Sequence, residues 1–411
     1  MIQSITPLTN EIESSIGFRI SNRRHCEILS ELIYIKTGES ISYNTIRRIF
    51  GISMGGNPST NSLNILSKFL GYSSYSKYLA EYRTKDLWDV YQQVYYLLND
   101  YPYLAIEKME NSFNNVDEYL NLLISTLREF SFKRQFDLIG RVFNSTLTDP
   151  KRFNYSQLLI FGNCVGDIFK NDELNILDYA HLKNFKECYF EVYIDYSSLN
   201  SQYGILIDFY NENYEDPELK LFCNSLIQFK NYLNCKPLNV VETKLKFENI
   251  HPILYGRYMS IKIQTIPNSD EIISSFFEKI RHNENAIEYL YEFTFFNILS
   301  RNFKLLESTK NYVSKNISIP QYQEYHHSIF TLVDGILSLL KGYKCNGIIQ
   351  ELKEMTFFRN SKRDIIDLFI SILEFHNFSQ STQAYNNYIN KSNILGYKRF
   401  DINYLINYFK T

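Results

Sequence analysis

The chain has 411 residues, 45% of them hydrophobic, with a formal net charge of -2. That length suggests two or three compact units or one elongated repeat array, and it allows a large core. No stretch approaches the roughly 18 uninterrupted apolar residues that a membrane helix needs. The cysteines (Cys26, Cys164, Cys188, Cys223, Cys235 and Cys345) show no paired spacing, which argues against a disulfide framework in so long a chain.

The opening residues "MIQSITPLTNEIESS" lack the basic start and apolar core of a signal peptide, so a cytoplasmic protein with reduced thiols is expected. Net charge informs about partners only when mapped. Residues 17–85 hold 10 Lys and Arg against 4 Asp and Glu, a balance of +6, which leaves -8 on the remainder. A basic N-terminal unit on an acidic body attracts phosphate locally even when the total is near zero. Aromatics make up 16%, almost entirely Tyr and Phe, with Trp88 the single tryptophan. Codon bias in an AT-rich genome and an aromatic binding surface both account for that share.

Along the chain, turn signals are dense before residue 80 and sparse after it. Ser21 is placed to cap a helix reading "NRRHCEILSELIYIKT". On it Ile28, Leu32 and Ile35 recur at helical spacing with Leu29 and Ile33 beside them, and Gly38 ends it. Ser42 caps the next helix, "YNTIRRIF", which Gly51 ends. After the loop "ISMGGNP", Pro58 and Ser59 open "TNSLNILSKFL", stopped by Gly71, and Ser73 or Ser74 opens "YSKYLAEY". Four short helices with their own start and stop signals predict a compact helical domain over 1–85.

From Asp86 onward, helical periodicity dominates, as in "VDEYLNLLISTLREF" and "RDIIDLFISILEFHNF". The segment "YFEVYIDYSSL" at 189–199 alternates as a strand would, although its neighbours favour a buried helix. Asp, Asn, Ser and Pro interrupt the pattern at intervals of about 15 to 20 residues, which suits stacked helix pairs. The expected fold is all-α: a small compact helical domain at 1–85 followed by an α-solenoid of degenerate, tetratricopeptide-like helix pairs at 86–411.

The stretch "LSELIYIKTGESISYNTIRRIFG" with "PSTNSLNILSKFLGY" resembles the helix-turn-helix domain of lambda-repressor-like (XRE-type) regulators. The matching positions are Ser42, Thr45–Ile46, Arg47–Arg48, Gly51, Pro58–Ser59, Leu63, Leu66 and Leu70–Gly71. The "FLGYSSYSKYL" ending also looks like a variant of this domain found in Bacteroidetes proteins of mixed architecture. The likeness covers about residues 20 to 82. The first helix and the loop after the second run longer than the family's. The resemblance implies that the helix from Ser42 enters the major groove of double-stranded DNA and presents its first residues to base edges.

Those residues are Ser42, Tyr43, Asn44, Thr45 and Arg47. Asn pairs with adenine through two bonds and Arg with guanine likewise. Arg48 points elsewhere and is assigned to a phosphate, as are Arg23 and Arg24. The helix start at Ser59 offers free N–H groups to a phosphate oxygen. The arginines serve equally well on a retired domain that now binds protein.

Other candidates are weaker. His326–His327 lacks the further ligands a metal site needs, and His25–Cys26 also stands alone. The loop "GISMGGNP" lacks the Lys-Ser or Lys-Thr of a phosphate loop. Glu215 and Asp216 read as a helix N-cap cluster before Pro217. No nucleophile elbow or Cys/His catalytic pair is visible, so neither an enzyme nor a cofactor is expected. The functional expectation is a sequence-specific DNA-binding regulator, a homodimer whose body senses a peptide or protein partner. The alternative is a non-DNA interaction scaffold.

Overall fold

The computed structural model describes residues 5–53, 57–170, 174–240, 242–266, 269–317, 324–355 and 362–410. The protein is helical, with no strand among the described residues. It divides into two compact units, Met1–Ser112 and Phe113–Thr411.

The first unit holds α1 (Thr6–Ile16), α2 (Arg23–Thr37), α3 (Tyr43–Ile49), α4 (Thr60–Phe69), α5 (Tyr75–Asp100) and α6 (Pro102–Ser112). Helix α5 runs unbroken through residue 85, and the unit ends at residue 112 rather than at the turn signals near 80. The start signals act as side-chain caps. Ser42 accepts from the Thr45 N–H at 3.1 Å, Ser59 from Ser62 at 3.2 Å and Ser74 from Lys77 at 3.3 Å. At α2 the cap is Asn22 rather than Ser21, accepting from the His25 N–H at 3.0 Å. Gly38 ends α2 with φ +72°, a conformation that favours glycine. The pair Gly55–Gly56 in the loop after α3 lies outside the described residues.

The core of this unit joins Leu8 and Ile12 of α1, Cys26, Leu29 and Ile33 of α2, Ile46 and Ile49 of α3, and Leu66 and Phe69 of α4. Helix α1 is an element that the sequence reading does not foresee, and it supplies two of these side chains. On α2 the buried stripe is narrower than the periodicity suggests. Cys26, Leu29 and Ile33 are buried and Leu32 packs half-buried against the core, while Ile35 is left 78% exposed.

The second unit starts with α7 (Val116–Phe132), α8 (Phe136–Phe143) and α9 (Tyr155–Gly166). Two short pieces follow, α10 (Leu177–Ala180) and α11 (Lys183–Phe185). Next come α12 (Gln202–Asn213), α13 (Pro217–Leu233), α14 (Pro252–Thr265), α15 (Asp270–Ile280), α16 (Ala286–Leu299) and α17 (Phe303–Asn316). The unit ends with α18 (Glu324–Leu340), α19 (Asn346–Glu354), α20 (Arg363–Asn377), α21 (Thr382–Leu395) and α22 (Ile402–Asn407). The alternating segment 189–199 opens in a widened helical turn, 186–190, and continues as irregular chain with Tyr193, Ile194 and Tyr196 buried.

Helix α16 is enclosed almost all round, so it serves as the axis of this unit. Helix α14 lies directly on it because residue 256 is glycine. A Cβ there would sit 2.0 Å from the Tyr289 carbonyl oxygen. The C-terminal segment then returns across the unit. Tyr397 donates its hydroxyl to the Tyr196 carbonyl at 2.6 Å, and Arg399 donates Nε–H to the Tyr232 carbonyl at 2.7 Å. Stacking of sequence neighbours alone does not give such contacts.

Much of the tyrosine content is used here. Tyr404 and Tyr408 donate to the Leu299 and Ile298 carbonyls at 2.8 and 2.9 Å, where α16 ends with its last carbonyls lacking helical partners. Tyr203 and Tyr210 likewise donate to the Phe190 and Ala180 carbonyls. A buried tyrosine supplies apolar area and a hydroxyl that satisfies a helix end.

Candidate functional site

Two places carry functional groups, one in each unit. In the first, α3 rises from its Ser42 cap with Asn44 and Arg48 exposed. Arg48 lies along its own helix, donating Nε–H to the Asn44 carbonyl at 3.3 Å and Nη2–H to Thr45 Oγ1 at 3.5 Å. Tyr43 is half-buried, with the Arg23 guanidinium 4.9 Å from its ring centre. Arg23 also donates Nε–H to Glu27 at 2.8 Å, and Arg24 beside it is exposed. Ser59 is exposed at the start of α4.

Arg47 behaves differently. It is half-buried, and its Nε is buried without a hydrogen bond among the described residues. It lies close enough to Cys26 of α2 to oppose the rise that burial imposes on that thiol's pKa. Adjacent helical positions project about 100° apart. With Ile46 and Ile49 fixed in the core, Arg47 is carried toward α2 and Arg48 toward solvent.

The second place is a cavity of 740 Å³ inside the second unit, walled by α9, the chain at 187–194, α13, α14, α16, Tyr325 and Lys362. At its floor are Arg257, Glu292 and Lys362, all buried. Lys362 Nζ lies 2.5 Å from Glu292 Oε1. Tyr196 donates its hydroxyl to Glu292 Oε2 at 2.6 Å and accepts from Arg257 Nε–H at 3.1 Å. Arg257 Nη1 donates to Ser225 Oγ at 3.3 Å. The Lys362 ammonium also lies 4.2 Å from the Tyr291 ring centre and 4.7 Å from that of Tyr196.

Burial alone would raise the Glu292 carboxyl, yet Lys362 and Arg257 hold it below the ordinary glutamate value. Burial lowers Lys362, against the opposing pull of Glu292. One helical turn earlier on α16, Glu288 accepts from the Tyr325 hydroxyl at 2.6 Å and lies 3.2 Å from His326 Nε2. Burial again works to raise this carboxyl, and the bonds from His326 and Tyr325 bring it below its usual value.

The His326–His327 pair is thus divided. His326 is buried against Glu288, and His327 is exposed beside Glu351. Asp216 caps α13, accepting from the Leu219 N–H at 2.8 Å, and stands at the mouth of the cavity. Sequence reasoning missed the cavity residues Arg257, Glu292 and Lys362. They come from three separate segments: Arg257 and Glu292 stand as lone charges in apolar runs, whereas Lys362 is followed by Arg363 and Asp364 and carries no such signal.

Among the described residues no group of three or more His, Cys, Asp or Glu is placed to hold a metal, and no helix is long and apolar enough to cross a membrane. No protein-family model matches the chain, and no curated protein or solved structure matches it either.

Proposed function

We propose that the chain is a sequence-specific DNA-binding regulator. In this reading α2 and α3 form a helix-turn-helix resembling the lambda-repressor-like type, and the helix pairs of the second unit sense a partner or dimerise. The observation that supports it most directly is the contact of Arg23 with Tyr43. It sets Arg23, at the start of α2, beside the first turn of α3, where the next residue, Asn44, is exposed. A group suited to a phosphate and a group suited to a base edge thereby lie at neighbouring helix starts.

The test is titration of the full chain with duplex DNA recovered from its genome, at several salt concentrations. The expected result is binding that falls steeply with salt, as counterion release requires. No binding at low salt overturns the reading. A protein-interaction scaffold is the second reading, and one observation favours it. Tyr34 and Ile35 on α2 are 61% and 78% exposed, and phosphate contacts have no use for that apolar area.

A further inference from the structure

The cavity of the second unit changes in character from mouth to floor. Its mouth is acidic: Glu187, Glu191 and Asp216 are exposed and Glu218 is half-buried. Lys186 answers Glu191 at 3.1 Å, and the Glu218 carboxylate accepts the His251 N–H at 2.9 Å. The floor has the opposite bias. Two cations, Arg257 and Lys362, both pair with the carboxylate of Glu292, and each of these side chains is at most 3% exposed. Glu288 nearby is already engaged by Tyr325 and His326. Arg257 uses Nε–H on Tyr196 and Nη1–H on Ser225, so its Nη2 end has no hydrogen-bond partner among the described residues. Between mouth and floor the wall is apolar, with Leu159, Val192, Leu219, Phe222 and Leu254.

Each simple class of ligand fails one end. A plain anion has to lie across four carboxylates. A plain cation has to approach a buried guanidinium and ammonium. A neutral apolar molecule leaves Arg257 Nη2 dry and unpaired, which is costly. We infer that the cavity binds a zwitterionic organic molecule the size of a short peptide. Its carboxylate meets Arg257 Nη2 beside Lys362, its apolar middle lies along Leu219 and Phe222, and its ammonium meets Glu187 and Glu218. The volume of 740 Å³ falls within the range of about 300–1,000 Å³ usual for organic ligands. Arg257 is held in place by Tyr196 and Ser225, which suits it to planar recognition of a carboxylate.

This deepens the sensing role proposed for the second unit and does not depend on DNA binding. A failed DNA titration leaves it standing, and its own failure leaves the DNA reading standing. Two sources share the chemistry: a short peptide with free termini and a long-chain amino acid.

The experiment is calorimetric titration of the full chain at neutral pH. The first probe set is trileucine, its C-terminal amide and its N-acetyl form. The second is 8-aminooctanoic acid, octanoic acid and octylamine. The expected result is that at least one zwitterion binds and that both of its singly charged counterparts bind about tenfold weaker or worse. Trileucine binding alone identifies a peptide, and aminooctanoate binding alone a long-chain amino acid.

Glu187→Gln, at the exposed mouth, should weaken the zwitterion and leave the N-acetyl form unaffected. Arg257→Met should erase the preference for acid over amide, with circular dichroism confirming that the variant is folded. If neither zwitterion binds at millimolar concentration, or if the blocked forms bind as tightly, the proposal is overturned.

Discussion

Lys362 Nζ lies 2.5 Å from Glu292 Oε1, with both side chains nearly sealed from water and Arg257 on the other carboxylate oxygen. The three charges are unequal in consequence. Glu292→Gln removes the carboxylate that both buried cations contact and should cost about 3–5 kcal/mol. Lys362→Met leaves one cation facing one carboxylate and should cost clearly less. Urea unfolding followed by near-UV circular dichroism measures both. Equal losses would show that the charge count at the floor does not govern stability.

The same cluster predicts how stability depends on pH. The folded Glu292 and Glu288 carboxyls titrate below their ordinary value of 4.5. The stability they contribute is therefore complete above that value and drains as pH falls through the lower folded ones. Lys362 is also lowered from 10.5, and for a lysine this means stability rises as pH climbs from its folded value toward 10.5. Thermal unfolding across pH should show a steep acid limb, made shallower by Glu292→Gln. The Lys362→Met protein should lack the alkaline gain.

Helix α14 depends on the absence of a side chain at residue 256, where a Cβ would meet the Tyr289 carbonyl oxygen at 2.0 Å. Gly256→Ala has to push α14 off α16 and should cost about 1–3 kcal/mol or more. It should also displace Arg257, so the affinity of any cavity ligand should fall with stability. Calorimetry on this variant separates the two effects from those at the mouth.

Tyr397 supports two backbone groups at once, donating to the Tyr196 carbonyl and accepting from the Leu199 N–H at 3.1 Å. Tyr397→Phe strands both and should cost about 1–3 kcal/mol. Hydrogen exchange at Leu199 should accelerate more than exchange in α7.

On DNA, Asn44→Ala should lose about 1–3 kcal/mol at a preferred site and relax the base preference. Arg48→Ala should weaken all sequences alike and reduce the salt slope by about one. Arg47→Ala should also shift the thermal midpoint, because Arg47 Nε is buried beside α2. A uniform effect of Asn44→Ala on every sequence would remove α3 as the reading helix.

The sequence by itself determined the helical class and, to within a residue, the limits of α2, α3 and α4. These rest on local physics: a Ser or Asn side chain reaching back to an N–H, a glycine at positive φ, and a repeat of apolar positions. Tertiary structure alone decided which of Arg47 and Arg48 meets solvent, because the packing of α3 on α2 sets that rotation. It decided that α5 carries the first unit past residue 85, since nothing in a continuous helix marks where its packing partners change. Above all it brought together Arg257, Glu292 and Lys362, up to 105 positions apart in the chain. Periodicity records only neighbours within a few turns, whereas a buried ion cluster depends on which segments meet, and that is fixed only once the whole unit has packed.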